Sequence, residues 1–256
     1  MNTLPTPEKI VAQVRKALAN SANAQTAAAS DRFYKEGEAA KVYGVPATDV
    51  RKIAKANFLH IKECPKQTIL EWCEELWESG YFEEMLVACV WSESLHKQYE
   101  PADFALFERW LGNYVSNWAD CDTLCNHTIG EFVMRYPESI AKLKEWTQSP
   151  NRWLRRGAAV SLIIPARKGL FLYDIIEIAR LLLTDRDDLV QKGYGWMLKA
   201  AGMSETFVKG EVQTKEEHLD AVFRFVMENR PIMPRTALRY AIEKMPAELK
   251  AKVMAK

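Results

Sequence analysis

Apolar positions recur at three- and four-residue spacing from one end of the chain to the other. Ile10, Val11, Val14 and Leu18 form one stripe, and Ile69, Leu70, Cys73, Leu76 and Trp77 another. Phe104, Leu106, Phe107, Trp110, Leu111 and Tyr114 make a third, and Leu219, Val222, Phe223, Val226 and Met227 a late one. That spacing puts each set on one face of an α-helix. No sustained period-two run bounded by hairpin turns is present, so neither a β-sandwich nor an α/β sheet is predicted. Proline and glycine agree. Thr6-Pro7-Glu8 opens a helix, and Pro46, Pro101, Pro137, Pro234 and Pro246 stand just before or within the first turn of others. Gly44, Gly80 and Gly169 are placed as C-terminal caps. The pattern predicts about a dozen helices joined by short loops. Helix pairs recur about every 35–45 residues, the range of HEAT-like repeats. A stack of helix pairs and a compact irregular bundle both satisfy that periodicity. With no low-complexity linker, residues 1–256 read as a single domain.

Composition then narrows the class. The chain has 256 residues, 48% hydrophobic, with 35 Lys+Arg against 34 Asp+Glu. That is too apolar and too nearly neutral for disorder, and no apolar run is long enough to span a membrane. The N-terminal stretch lacks a basic start followed by an apolar segment, so no leader peptide is expected. Five cysteines, an odd number with no C-x-x-C pair, predict a reduced, cytoplasmic chain. The net charge of +1 conceals an asymmetry: residues 151–256 carry +6 and residues 1–150 carry −5. Arg152, Arg155, Arg156, Arg167 and Lys168 fall within 151–170, where there is no acid. Such a face either binds phosphate or pairs with acids elsewhere.

Most familiar chemistries have no signature here. Cys121, Cys125 and His127 lie close together, but no further ligand pair stands at a zinc spacing, so these cysteines read as core packing and no metal is expected. There is no phosphate-binding G-x-x-x-x-G-K-[ST], no H-E-x-x-H and no G-x-S-x-G. Gly193-Tyr194-Gly195 is too short a glycine pattern to mark a dinucleotide site. Three segments remain. In Asn117-Trp118-Ala119-Asp120-Cys121-Asp122, Trp118 and Asp122 share a helical face, where a ring beside a carboxylate could hold a cation. The same residues also fit a core tryptophan with Asp120 or Asp122 as a helix cap. Asn151 to Ala159 gathers Arg152, Arg155 and Arg156 near a helix start, with Trp153 facing the core, and both features favour phosphate. In the third segment Lys192, Trp196 and Lys199 follow one stripe, an aromatic between two cations, read as exposed or half-exposed in a basic groove. Pro234-Arg235 and Arg239 repeat the one-turn basic spacing.

Together and in this order, these segments resemble the AlkD-like DNA alkylation repair family of HEAT-like-repeat DNA glycosylases. That family has a Trp-x-x-x-Asp element, an Asn-x-Trp-x-x-Arg element and a Gln-Lys-x-x-Gly-Trp element, matched by Trp118 to Asp122, Asn151 to Arg156 and Gln191 to Trp196. Residues 233–242 look like its last helix, and Tyr43-Gly44-Val45 with Arg51 like its early helix-turn-helix. The likeness runs from about residue 30 to 245. Ala119 departs from members with Asp there, Cys121 precedes the key Asp, and a family tyrosine maps to Tyr34 or Phe33 without choosing between them.

The resemblance implies an all-α, right-handed α-solenoid whose concave basic face cradles duplex DNA. It assigns Trp118 and Trp196 to the lesion, Asp122 to catalysis and Arg156 to the DNA backbone. Arg152, Arg155, Lys192, Lys199, Arg235 and Arg239 are the further DNA-binding candidates. The implied reaction is hydrolysis of the N-glycosidic bond of N3- and N7-alkylated purines, by a monomer with no metal or organic cofactor. Alkylation makes such a base cationic and already a good leaving group, so no strong general acid is required. A carboxylate that stabilises the sugar cation and orients water is sufficient. A non-catalytic module that binds DNA by shape, and a protein-interaction scaffold, fit the same helical pattern.

Overall fold

The computed structural model describes residues 7–30, 41–208 and 211–255. Tyr34 and Phe33 lie outside them. The fold is all-α, of the α-solenoid class, and its helices gather into two compact units, Met1–Leu124 and Cys125–Lys256. Among the described residues, none of the helices is long and apolar enough to cross a membrane.

The first unit comprises α1 (Pro7–Asn20), α2 (Ala24–Ser30), α3 (Ala47–Ile61), α4 (Lys66–Glu78), α5 (Phe82–Ser94), α6 (Asp103–Asn113) and α7 (Trp118–Thr123). Its centre is α5, which packs against α1, α3, α4 and α7. Residues 83–92 of α5 are buried on every side, as expected of a helix whose apolar residues are not confined to one stripe. The stripes of α1 and α4 face it, with Ile10, Val14, Leu18, Ile69, Cys73 and Leu76 at 0–1% exposure. Pro46 and Pro65 stand at the N-caps of α3 and α4, where the missing N–H leaves no helical bond unmade.

Two buried acids in the first turn of α5 were not legible as such in the sequence. Glu83 accepts hydrogen bonds from the backbone N–H groups of Tyr43, Gly44 and Val45 at 3.0, 2.8 and 3.0 Å. Glu84 accepts from the Tyr43 hydroxyl at 2.6 Å and from Arg15 at 3.0 Å. The loop ahead of α3 is thereby tied to the core helix. Gly44 has φ +84 there, although it sits in this loop and not at the helix end predicted for it. Gly80 and Gly169 do follow helices, with φ of 72 and 73.

The second unit holds α8 (Gly130–Arg135), α9 (Ile140–Trp146), α10 (Arg152–Val160), α11 (Ile163–Arg167), α12 (Leu172–Leu181), α13 (Asp188–Ala201), α14 (Lys215–Asn229), α15 (Arg235–Ile242) and α16 (Ala247–Met254). Here α13 is central, against α10, α11, α12, α14 and α15. One of its two glycines is a packing residue. A Cβ on Gly195 would stand 2.7 Å from the Ala237 carbonyl oxygen of α15, whereas one on Gly193 would meet Arg156 of α10 at an ordinary contact distance of 3.4 Å. Gly195 marks the close approach of α13 and α15.

Two details depart from the periodicity. The buried side of α14 is His218, Val222, Phe225 and Val226, whereas Leu219 and Phe223 are half-exposed and Met227 is exposed. A short antiparallel strand pair, β1 (Thr206–Val208) with β2 (Glu211–Gln213), lies in sequence between α13 and α14. Three-residue strands are too short to register as alternation.

Candidate functional site

Helix α7 begins at Asn117, which is fully buried and acts as its N-cap. The Asn117 side-chain oxygen accepts from the N–H groups of Ala119 and Asp120, both at 3.0 Å, and its amide donates to Asp120 Oδ2 at 2.7 Å. Neither Asp120 nor Asp122 is the cap. With its first turn fixed in this way, α7 turns its two carboxylates to different surroundings. Asp120 is 6% exposed, and among the described residues its Oδ1 has no hydrogen-bond partner. Burial pushes its carboxyl up to about 7, against the opposing effect of the bonds from Asn117 and Ser116. Asp122, two residues on, is half-exposed, and so is Trp118, one helical turn before it. Beside Trp118 lies a mostly apolar cavity of about 360 Å³, lined by Val42, Val45, Pro46, Phe82 and Glu83 among others. Directly after α7 the backbone widens into a π-helical segment, Leu124–Ile129. Such a turn has no marker in the sequence.

The Asp120 environment has a stability consequence. The unfolded chain releases this proton near the ordinary carboxyl range, while the folded chain keeps it to about pH 7. Between those values the folded state binds more protons, so stability falls as pH rises through that window. Asp120→Asn keeps an oxygen for Asn117 and removes the charge. Chemical denaturation should find it more stable than the parent at pH 8, by on the order of 1–4 kcal/mol, with the advantage gone near pH 4.

In the second unit, α10 starts at Asn151, whose side chain caps the Trp153 N–H at 2.8 Å. Trp153 is buried, as its spacing predicts. The three arginines of this helix are engaged by the chain itself. Arg152 meets both carboxylate oxygens of Asp187 at 2.8 and 2.9 Å. Arg155 donates to Asp185 at 2.7 Å and to the Ser149 carbonyl at 2.9 Å. Arg156 is 4% exposed and donates to the Leu189 carbonyl. They bind α10 to the segment that opens α13, whose N-cap is Asp187. The partners lie about 30 residues further along, so a local reading sees only an acid-free stretch.

The other basic candidates differ in how committed they are. Lys192 pairs with Asp188 at 3.2 Å, and Lys199 with Glu243 at 2.8 Å. Arg235 and Arg239 on α15 are exposed and form no ion pair among the described residues. Trp196 is half-exposed, as predicted, with the Arg167 guanidinium 5.9 Å from its ring centroid. All five cysteines are buried free thiols. Among the described residues, no group of three or more His, Cys, Asp or Glu side chains is placed to hold a metal ion.

Residues 14–245 match the family model described as DNA alkylation repair enzyme. The fold resembles a solved structure named "Predicted DNA alkylation repair enzyme from Enterococcus faecalis", with a TM-score of 0.74 at 16% identity. That likeness covers 89% of this chain and 98% of the other. No curated protein sequence is significantly similar to this one. With the family model spanning both compact units, the chain belongs to the DNA alkylation repair enzyme family, whose role is the repair of alkylation damage in DNA.

Proposed function

We propose that the protein is a DNA glycosylase that hydrolyses the N-glycosidic bond of cationic N3- and N7-alkylpurines in duplex DNA. The observation behind this reading is the division between the two carboxylates of α7. Asp120 is buried and holds its proton toward neutral pH, whereas Asp122 reaches the surface one turn from Trp118. A reaction that breaks a bond to an already cationic base needs a negative charge near the sugar and an aromatic face for the positive base. Asp122 supplies the first and Trp118 the second, each ring contact contributing about 0.5–2 kcal/mol. The apolar cavity beside Trp118 gives the alkylated base a neighbour that does not compete as a hydrogen-bond partner.

Exposed Arg235 and Arg239, with Lys192 and Lys199, are the cations through which the second unit would hold the duplex backbone. Arg152, Arg155 and Arg156 support that surface by fixing α10 on α13. Trp196 stands among cations, which suits it to the DNA backbone better than to a charged base.

Selectivity tests this reading. Duplexes containing one N7-methylguanine should lose that base in the presence of the protein. Duplexes containing uracil or hypoxanthine, which are neutral and need acid assistance to leave, should lose at least ~100-fold less. Equal release of charged and neutral bases would contradict it. Binding with no release at all would favour a DNA-structure-binding module.

A further inference from the structure

Next to Trp196 is a cavity of about 300 Å³ whose chemistry differs from that beside Trp118. Trp196, Ala200 and Met203 form its apolar walls, and Arg167, Lys199 and Lys244 bring three positive charges to it. These cations come from separate places in the second unit: the end of α11, the last turn of α13 and the residue pair after α15. None of the lining residues is acidic.

Two of the three charges are uncommitted. Arg167 is exposed, lies over the Trp196 ring and makes no ion pair among the described residues. Lys244 is exposed and likewise makes none. Lys199 donates to Glu243 at 2.8 Å and stands 5.6 Å from the Tyr240 ring centroid. Glu243 itself sits in a positive field: the Lys199 hydrogen bond, with Lys244 and Lys250 adding, holds its carboxyl below the usual range.

Such a space disfavours a cation, because an entering positive charge meets Arg167 and Lys244, unpaired among the described residues, beside Lys199. It favours an anion that offers several oxygens at once. Guanidinium supplies paired N–H donors, and the ring beneath it restricts its orientation without using its donor edge. Lysines on either side add point charges that need no fixed direction. A phosphodiester matches that set.

We propose that Arg167, Lys199 and Lys244 bind one backbone phosphate of duplex DNA against Trp196. The proposal rests on the DNA-binding part of the function above and deepens it by assigning Arg167 and Lys244 to the interface. It also makes Trp196 the wall of a phosphate site. The shared chemistry is that of phosphate oxygens, which a free phosphate compound would also present.

The test is anisotropy of a labelled, undamaged duplex with 5′-hydroxyl ends, across about 50–200 mM salt. The Arg167→Gln/Lys244→Gln double variant should bind several-fold more weakly, and its slope of log affinity against log salt should fall by about one. Both side chains are exposed, so the parent's thermal midpoint should be retained as the control for folding. Unchanged affinity and slope in the folded variant would overturn the proposal. Binding of inorganic phosphate that the variant loses while its duplex binding is unchanged would also overturn it, in favour of a small phosphate ligand. A parent that releases no methylated base, yet shows the expected change of slope, would remove the glycosylase reading and leave this site standing.

Discussion

Asp122→Asn should reduce release of N7-methylguanine by about 10²–10³-fold while leaving duplex affinity within about twofold. As the glycosidic bond breaks, positive charge moves from the base to the sugar, and in the proposed function the Asp122 carboxylate is the group that meets it. Asparagine has the same shape and can still orient a water molecule, but it carries no charge. The expected loss is that of a preorganised electrostatic contact, about 2.7–4 kcal/mol. Trp118 and the basic residues of the second unit are untouched, so binding should persist. Asp120→Asn provides the contrast. Its carboxyl, pushed up to about 7, is already largely protonated at pH 6. At that pH the variant should retain activity near that of the parent. If Asp120→Asn abolished release and Asp122→Asn did not, the roles assigned to the two carboxylates would have to be exchanged. Single-turnover release assays on both variants give the answer.

Gly44→Ala should be the most destabilising alanine substitution of a loop glycine, by about 2–5 kcal/mol, because the residue is buried. Two effects add. The residue has φ +84, a left-handed conformation that costs an ordinary L-residue about 1–2 kcal/mol. A Cβ there would also lie 2.3 Å from the Asn23 carbonyl oxygen and 2.8 Å from the Ala27 nitrogen. Those two atoms make the 3.0 Å hydrogen bond that opens α2, so the methyl group would intrude on a helical turn and not on a movable side chain. Overpacking of that kind costs about 1–3 kcal/mol. Relief by a backbone shift would break the bond from Gly44 N–H to Glu83. Gly80→Ala separates the two effects. Its φ is +72, but the nearest atom to a new Cβ is Lys41 Nζ at 4.0 Å, so only the conformational cost applies. Thermal denaturation should rank Gly44→Ala well below Gly80→Ala; equal midpoints would refute the steric argument.

What the sequence discloses follows from the range of the interactions involved. The helices were legible because their stripes and caps are local: Ile10 to Leu18 is buried as spaced, and Pro46, Pro234 and Pro246 stand at N-caps. The order of Trp118, Asp122, Asn151, Arg156 and Trp196 was legible as a family pattern, and the family match over residues 14–245 agrees with it. Features that depend on distant partners were not. Glu83 and Glu84 look like ordinary first-turn acids until residues 43–45 and Arg15 are brought onto them. The arginines of α10 look like a phosphate-binding cluster until Asp185, Asp187 and Leu189 engage them. Along the sequence Asp120 is marked only as a possible cap, since its burial depends on how α7 packs against α5. The same limit applies to Arg167 and Lys244, which are far apart along the chain and share a cavity only after α11, α13 and α15 have assembled.

Cleavage of the glycosidic bond of a cationic alkylpurine by this chain, with Asp122, is the core of the proposed function. It is tested most directly by following, in single turnover, the release of N7-methylguanine from a duplex carrying that one lesion. First-order release well above spontaneous depurination, lost on changing Asp122 to Asn with duplex binding intact, is the predicted result. Release no faster than spontaneous depurination, or equally fast in the Asp122→Asn variant, would contradict it.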